Sequence, residues 1–307
     1  MKPSPEGSPV RKGGKVWMGI VSLKFDFSFK QLMLNEAVRK YFISDVLGIP
    51  VSEIRSVRLS NPFLWRRYFR QKQGILDVKV ELNEDSIVDI ELQIRMLAYW
   101  DKRSLYYLAK MFTEGLLIGE KYHRLKKCIC INILDFDMNE SPEYHRVYRL
   151  RDEKGGEFSD LFEIHVVELK KHLTGVDPVN DWIRLFNARS EAELDMIKTT
   201  NPGILEAIRE VKIMSLRKDL RALYEAHLKE RRDRCAREDF VREEGKAEGK
   251  AEDILQLLAG KGEIPDELPG VIRGQHDMDT LTDWLLTAAR AESVEDFVEQ
   301  AGIRKKN

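Results

Sequence analysis

The sequence predicts an α/β fold: a mixed, mainly antiparallel sheet flanked by helices, followed by an all-helical C-terminal region. Three observations lead there. Residues 75–94 (ILDVKVELNEDSIVDIELQI) alternate apolar and polar side chains on two arms about a polar turn, the period of a half-buried strand. Residues 127–134 (KCICINIL) form the short apolar run of a strand covered on both sides. After Trp182 the pattern turns almost wholly helical and dense in Lys, Arg, Glu and Asp.

The elements follow in chain order. Residues 1–16 are rich in Pro, Gly and Lys/Arg, and the expectation there is disorder. Between Phe25 and Leu47 the residues Phe29, Leu32, Met33, Val38, Phe42 and Val46 recur at helical spacing, predicting one helix that Gly48 and Pro50 terminate. Residues 54–59 read as a short strand. On the hairpin, Leu76, Val78, Val80 and Leu82 alternate with Asp77, Lys79 and Glu81. Beyond the turn Val88, Ile90, Leu92 and Ile94 alternate with Asp89, Glu91 and Gln93. Residues 96–119 carry Trp100, Leu105, Leu108, Phe112 and Leu116 on a helix, and 127–134 make a central strand. Two more strands follow at 146–150 and 162–169, then a linker with Gly175 and Pro178.

A first domain is expected over 17–190. A charged helical region follows over 191–252, and a small helical module over 253–307, interrupted around Pro265 and Pro269. The near-repeat EGKAEGKAE (244–252) reads as a soft connector, because each glycine weakens a helix by about 1 kcal/mol relative to alanine.

Composition narrows the function classes. Hydrophobic residues make up 43%, enough for a core, and charged residues 34%, which suits long solvated helices. A net charge of -1 gives no global basic field, so any nucleic-acid surface must be a local patch. Cys128, Cys130 and Cys235 provide neither a disulfide framework nor a CxxC zinc pair. No apolar stretch reaches the roughly 18 residues needed to span a bilayer. The polar, basic N-terminus has no signal-peptide core. The expectation is a cytoplasmic protein with no membrane partner.

The hairpin carries the candidate chemistry. With the turn at Asn83–Asp85, Leu82 faces Ser86 and Asp77 faces Glu91. Opposed residues have Cβ atoms about 4.5–5.5 Å apart. Gln93 shares that face, with Asp89 and Lys79 nearby. Two adjacent carboxylates repel, raising the pKa of one, and a divalent cation relieves the repulsion, since hard oxygen ligands suit Mg²⁺. A metal so held lowers the pKa of a water and neutralises charge at a scissile phosphate, which is the chemistry of phosphodiester hydrolysis. The spacing alone is a weak motif. A solvated polar face of an antiparallel sheet is the commoner origin of such a pattern.

Several segments in order sharpen it: LKFDFSFK (23–30), GILDVKV (74–80), IELQIRM (90–96), KRSLYYLAKM (102–111), INILDFDM (131–138), EYHRVYRLRD (143–152) and FEIHVVEL (162–169). Over about residues 23–190 the chain resembles the PD-(D/E)XK nuclease-family transposases, also called the recombination-promoting nuclease/putative transposase family. The resemblance implies a restriction-endonuclease-like sheet in the first domain. It also implies a Mg²⁺-dependent DNA endonuclease that supports recombination or transposition. Asp77 and Glu91 then match the two acids of the motif and are the implied metal ligands. Gln93 stands where the motif has lysine; it can orient a water or offer a carbonyl but cannot act as a cation. Lys79, on the same face, is the candidate replacement. Asp26 matches the acid of the family's opening motif, either as a helix cap or as a further metal ligand.

Further candidates surround this set. Residues 65–72 (WRRYFRQK) place Arg66, Arg67, Arg70 and Lys72 among Trp65, Tyr68 and Phe69, a composition suited to phosphate contact and base stacking. An ordinary surface segment gives the same pattern. Lys102 and Arg103 either steer a nucleic-acid backbone or occupy a solvated helix face. The six histidines are scattered, His165 reads as a satisfied core residue, and none is assigned to catalysis. Ile208, Leu216, Leu220 and Leu223 offer an apolar stripe for a homo-oligomer. Two other readings stay open: a non-catalytic DNA-binding protein that retains the fold, and an oligomeric helical scaffold.

Overall fold

The computed structural model describes residues 10–12, 15–17, 19–64, 74–116 and 119–303. Residues 1–9 lie outside that set, but β1 (Val10–Lys12) and β2 (Lys15–Trp17) pair antiparallel within the stretch expected to be disordered. Val10 pairs with Trp17 there.

The helix expected between Phe25 and Leu47 is two helices, α1 (Asp26–Met33) and α2 (Glu36–Leu47). The break comes at Asn35, whose side chain accepts from the Val38 N–H at 3.3 Å and so starts a new helix as its N-cap. Gly48 ends α2 in the left-handed region (φ 67°) that glycine adopts without strain.

The strands β3 (Val57–Leu59), β4 (Phe63–Leu64), β5 (Gly74–Ile75), β6 (Val78–Leu82) and β7 (Ser86–Gln93) come next, followed by α3 (Trp100–Glu114). β8 (Lys127–Leu134), β9 (His145–Arg151) and β10 (Glu157–Glu168) complete the strands. The main sheet has the order β3-β6-β7-β8-β10-β9. Three of its pairings are antiparallel (β3·β6, β6·β7, β9·β10) and two are parallel (β7·β8, β8·β10), so the mixed, mainly antiparallel sheet is as the sequence predicts. KCICINIL supplies the interior strand β8, almost wholly buried.

Both faces of this sheet are covered. On one face Val78, Val80, Ile90, Ile129 and Ile131 pack with Phe29, Phe42, Trp182 and Phe186 from the surrounding helices, and Phe42 meets Trp182 edge-on at 5.1 Å. The opposite face holds Cys128 and Cys130 against Leu108 and Met111 of α3. That second face also carries Asp89, Glu91 and Gln93, which are 0%, 6% and 9% exposed. The solvated-face explanation of the hairpin pattern is therefore wrong here, because α3 lies over it.

The C-terminal half is helical, as expected: α4 (Val179–Asn187), α5 (Glu191–Asp195), α6 (Pro202–Leu216), α7 (Lys218–Ala259), α8 (Leu268–Arg273), α9 (Met278–Arg290) and α10 (Val294–Gln300). The chain divides into two compact units, Met1–Ala222 and Leu223–Asn307. In the second unit EGKAEGKAE is helical, inside α7. Ala247, Ala251, Ile254 and Leu258 form a buried stripe at spacings of three and four, packed with Ile272, Leu281 and Phe297. That burial outweighs the helix cost of Gly245 and Gly249. Among the described residues no helix is long and apolar enough to cross a membrane.

Candidate active site on the hairpin

The hairpin register runs Leu82↔Ser86, Val80↔Val88 and Val78↔Ile90, which carries Asp77 to the position opposite Glu91, as the alternation predicts. Asp77 stands one residue before β6. Its N–H donates to Glu91 Oε1 at 3.1 Å, and the Leu92 N–H donates to Asp77 Oδ2 at 3.1 Å. Each carboxylate thus holds the other's strand. The second oxygen of Glu91 accepts from Gln93 Nε2 at 3.1 Å and lies 3.7 Å from the Arg103 guanidinium. Asp77 Oδ1 lies 3.6 Å from Lys30 Nζ, which pairs with Asp26 Oδ1 at 2.8 Å. The group grades from buried Glu91 through Asp77 to exposed Asp26.

Burial sets the electrostatics. It raises the Asp77 pKa, repulsion from Asp26 adds to this, and the Leu92 N–H, Lys30 and Arg103 oppose it. Burial, then repulsion from Asp77, lifts Glu91 from its ordinary 4.5 to about 7. Asp89 is pushed well above the carboxylate range by burial and by its neighbours Glu91 and Asp77. Its Oδ1 is buried with no hydrogen-bond partner among the described residues, and its Oδ2 faces Cys130 Sγ at 3.8 Å. Crowded, desolvated carboxylates are a poor arrangement on their own and a good one around a cation. Their oxygens are hard donors, so the set fits a hard dication. Among the described residues no three His, Cys, Asp or Glu side chains gather closely enough to hold an ion. Asp77 and Glu91 are thus a two-carboxylate set of hard oxygen donors.

The other sequence candidates fall as follows. Lys79 shares the face of Asp89, and its ammonium lies 3.8 Å from Glu114 at the end of α3. Asp26 is the first residue of α1 behind the N-cap Phe25, and it pairs with Lys30 one turn on rather than capping the helix. Lys102 is exposed, with its Nζ 4.8 Å from the centre of the Tyr99 ring. Arg103 reaches Glu91. Arg66, Arg67, Arg70 and Lys72 lie outside the described residues.

Two residues escaped the sequence reading. Lys30 brings an ammonium to Asp77; its signal was the i, i+4 spacing from Asp26 within LKFDFSFK. Asn132 neighbours Glu91 across the parallel pairing of β7 with β8 and accepts from Ser104 Oγ at 3.2 Å, which local pattern does not disclose.

A family model described as PD-(D/E)XK nuclease family transposase matches residues 23–238, from α1 into α7. The chain belongs to this family. The PD-(D/E)XK match extends beyond residue 190, past the segments that carry the resemblance in the sequence. Membership supports a nuclease-like, transposase-type function, and the mixed sheet with its flanking helices is consistent with the PD-(D/E)XK fold. No match was found among curated proteins, and none among solved structures.

Proposed function

We propose that this PD-(D/E)XK transposase is a Mg²⁺-dependent DNA endonuclease acting through Asp77, Glu91 and Gln93 in support of recombination or transposition. The observation that carries the reading is the Asp77–Glu91 clasp: two desolvated carboxylates, Glu91 fixed by the Asp77 N–H and Asp77 by the Leu92 N–H, both raised in pKa by burial and repulsion. Asp77 and Glu91 would hold the ion, while Asp26, paired with Lys30 at 2.8 Å, stands outside that two-carboxylate set. When bound, a dication supplies Lewis acidity to the scissile phosphate and the attacking water.

The chain's own groups do the rest. Gln93 anchors Glu91 through its amide N–H, leaving its carbonyl to orient a water. Lys30 places a positive charge beside Asp77, the role that Gln93 cannot fill, while Lys79 remains the second candidate for it. Lys102 and Arg103, in the first turn of α3, would meet the phosphate backbone, together with Arg66, Arg67, Arg70 and Lys72.

The direct test incubates wild-type protein and Asp77→Asn with supercoiled plasmid and Mg²⁺, with EDTA as control and circular dichroism as a check on folding. Nicking by the wild type, lost in EDTA and in folded Asp77→Asn, is expected. Undiminished nicking by the variant would remove Asp77 from the reaction, and binding without cleavage by the wild type would select the non-catalytic reading.

A further inference from the structure

The sheet face away from Asp77 and Glu91 carries a second polar constellation. β9 and β10 pair with Val147 opposite His165 and Arg149 opposite Glu163, so His145, Val147, Arg149, Glu163 and His165 share one face. Glu163 accepts from Lys127 at 2.6 Å and Arg149 at 2.8 Å, and these cations together with His165 hold its carboxyl well below the usual range against the opposing effect of burial. His165 Nε2 sits 2.7 Å from Glu163 Oε1, and His165 Nδ1 sits 3.0 Å from His145 Nε2.

Proton placement follows from this order. An ionised Glu163 only accepts, so a neutral His165 carries its proton on Nε2 and presents a lone pair at Nδ1. The His145 N–H must then be on Nε2, donating to that lone pair. His145 Nδ1 is left as a bare acceptor, with no protein partner among the described residues. Burial, then the neighbouring His165, lowers the His145 pKa to about 4 against the opposing charge of Asp177, and the ring is neutral near pH 7.

His145 lines a cavity of about 490 Å³ between β9 and the end of α2, within the range of small-ligand sites. Its walls are apolar at Val46, Leu47, Ile49, Pro50, Val147 and Pro178. Its polar lining is rich in acceptors. The last turn of α2 contributes the negative end of the helix dipole, and Asp45 and Asp177 add carboxylates. Among the described residues Asp45 accepts from two neutral donors, Trp182 Nε1 at 2.6 Å and Asn201 Nδ2 at 2.7 Å, and its pKa is raised by burial and by Asp177 and Asp181. Among the described residues of the lining the one Lys or Arg, Arg149, is committed to Glu163.

We propose that this cavity is a binding site for a small organic ammonium ligand, a primary amine on a short apolar body, whose N–H donates to His145 Nδ1. The apolar walls take the hydrocarbon and the acceptor lining takes the charge. The site does not share the hairpin acids, because it opens on the other face of the sheet.

The test uses the full chain labelled with ¹⁵N-histidine at pH 7.5, assigned with His145→Gln and His165→Gln. Both His145 and His165 are expected as Nε2–H forms. Titration with n-butylammonium chloride should shift the His145 Nδ1 resonance saturably. Tetramethylammonium, which has the charge and no N–H, should not. Val147→Trp, which fills the cavity and leaves both histidines in place, should weaken the response about tenfold or more, as expected for loss of a hydrogen bond to a charged group. An Nδ1–H form of His145, an unsaturable shift, or an equal response to tetramethylammonium would each overturn the proposal.

Discussion

Replacing Glu91 with glutamine should stabilise the ion-free protein above neutral pH and weaken it slightly in acid. The folded-state pKa of about 7 lies above the ordinary 4.5, so the native protein holds this proton more tightly than the unfolded chain. The stability so contributed is fully present below about pH 4.5 and is lost as pH rises through about 7. Above that, the ionised carboxylate costs on the order of 3 kcal/mol, at about 1.4 kcal/mol per pH unit of separation. Glutamine removes the charge and keeps the shape. Its carbonyl can still accept from the Asp77 N–H, but its amide would face the Gln93 amide, donor against donor, forfeiting about 1 kcal/mol. The net expectation is a gain of about 2 kcal/mol near pH 9 and a loss of about 1 kcal/mol near pH 4. For a unit of this size the gain corresponds to roughly 4–8 °C in Tm. Thermal unfolding followed by circular dichroism in EDTA across that pH range measures it. Equal destabilisation at every pH would show that Glu91 is not under electrostatic stress and would remove the physical basis of the cation site.

Three further outcomes follow from the same geometry. Mg²⁺ affinity should rise with pH up to about 7 and flatten above it, because Glu91 must release its proton to bind, and calorimetry in buffers of different ionisation enthalpy should find close to one proton released below that point. Lys30→Met should slow plasmid nicking by about 10²-fold or more, the usual cost of one missing electrostatic contact at a reacting centre, while Lys79→Met should change it little; the reverse ranking in a kinetic assay would assign the cation to Lys79. Gly249→Ala should stabilise the second unit by about 1 kcal/mol, since Gly249 lies inside α7 and an added Cβ meets nothing within 4 Å; urea unfolding that shows a loss would mean this stretch of α7 is not a helix in solution.

The sequence by itself determined the hairpin and its register. Because side chains alternate with period two, a one-residue slip would turn Val78, Val80 and Ile90 outward and bury Lys79 and Glu81, so the alternation admits only the pairing that sets Asp77 against Glu91. The apolar run of β8 and the glycine stop of α2 were legible for the same reason: each is a local preference written in neighbouring residues. What the sequence left open was what covers each side. Alternation shows which side chains share a face, but α3 arrives from outside the hairpin, and its packing turns Glu91 and Asp89 from solvated acids into desolvated ones. Lys30 reaches Asp77 from another element, and the two histidines of β9 and β10 meet only through strand pairing. Those contacts join residues far apart in the chain, and no periodicity carries them; the tertiary structure alone decided the charge, burial and partners of the groups whose positions the sequence had set.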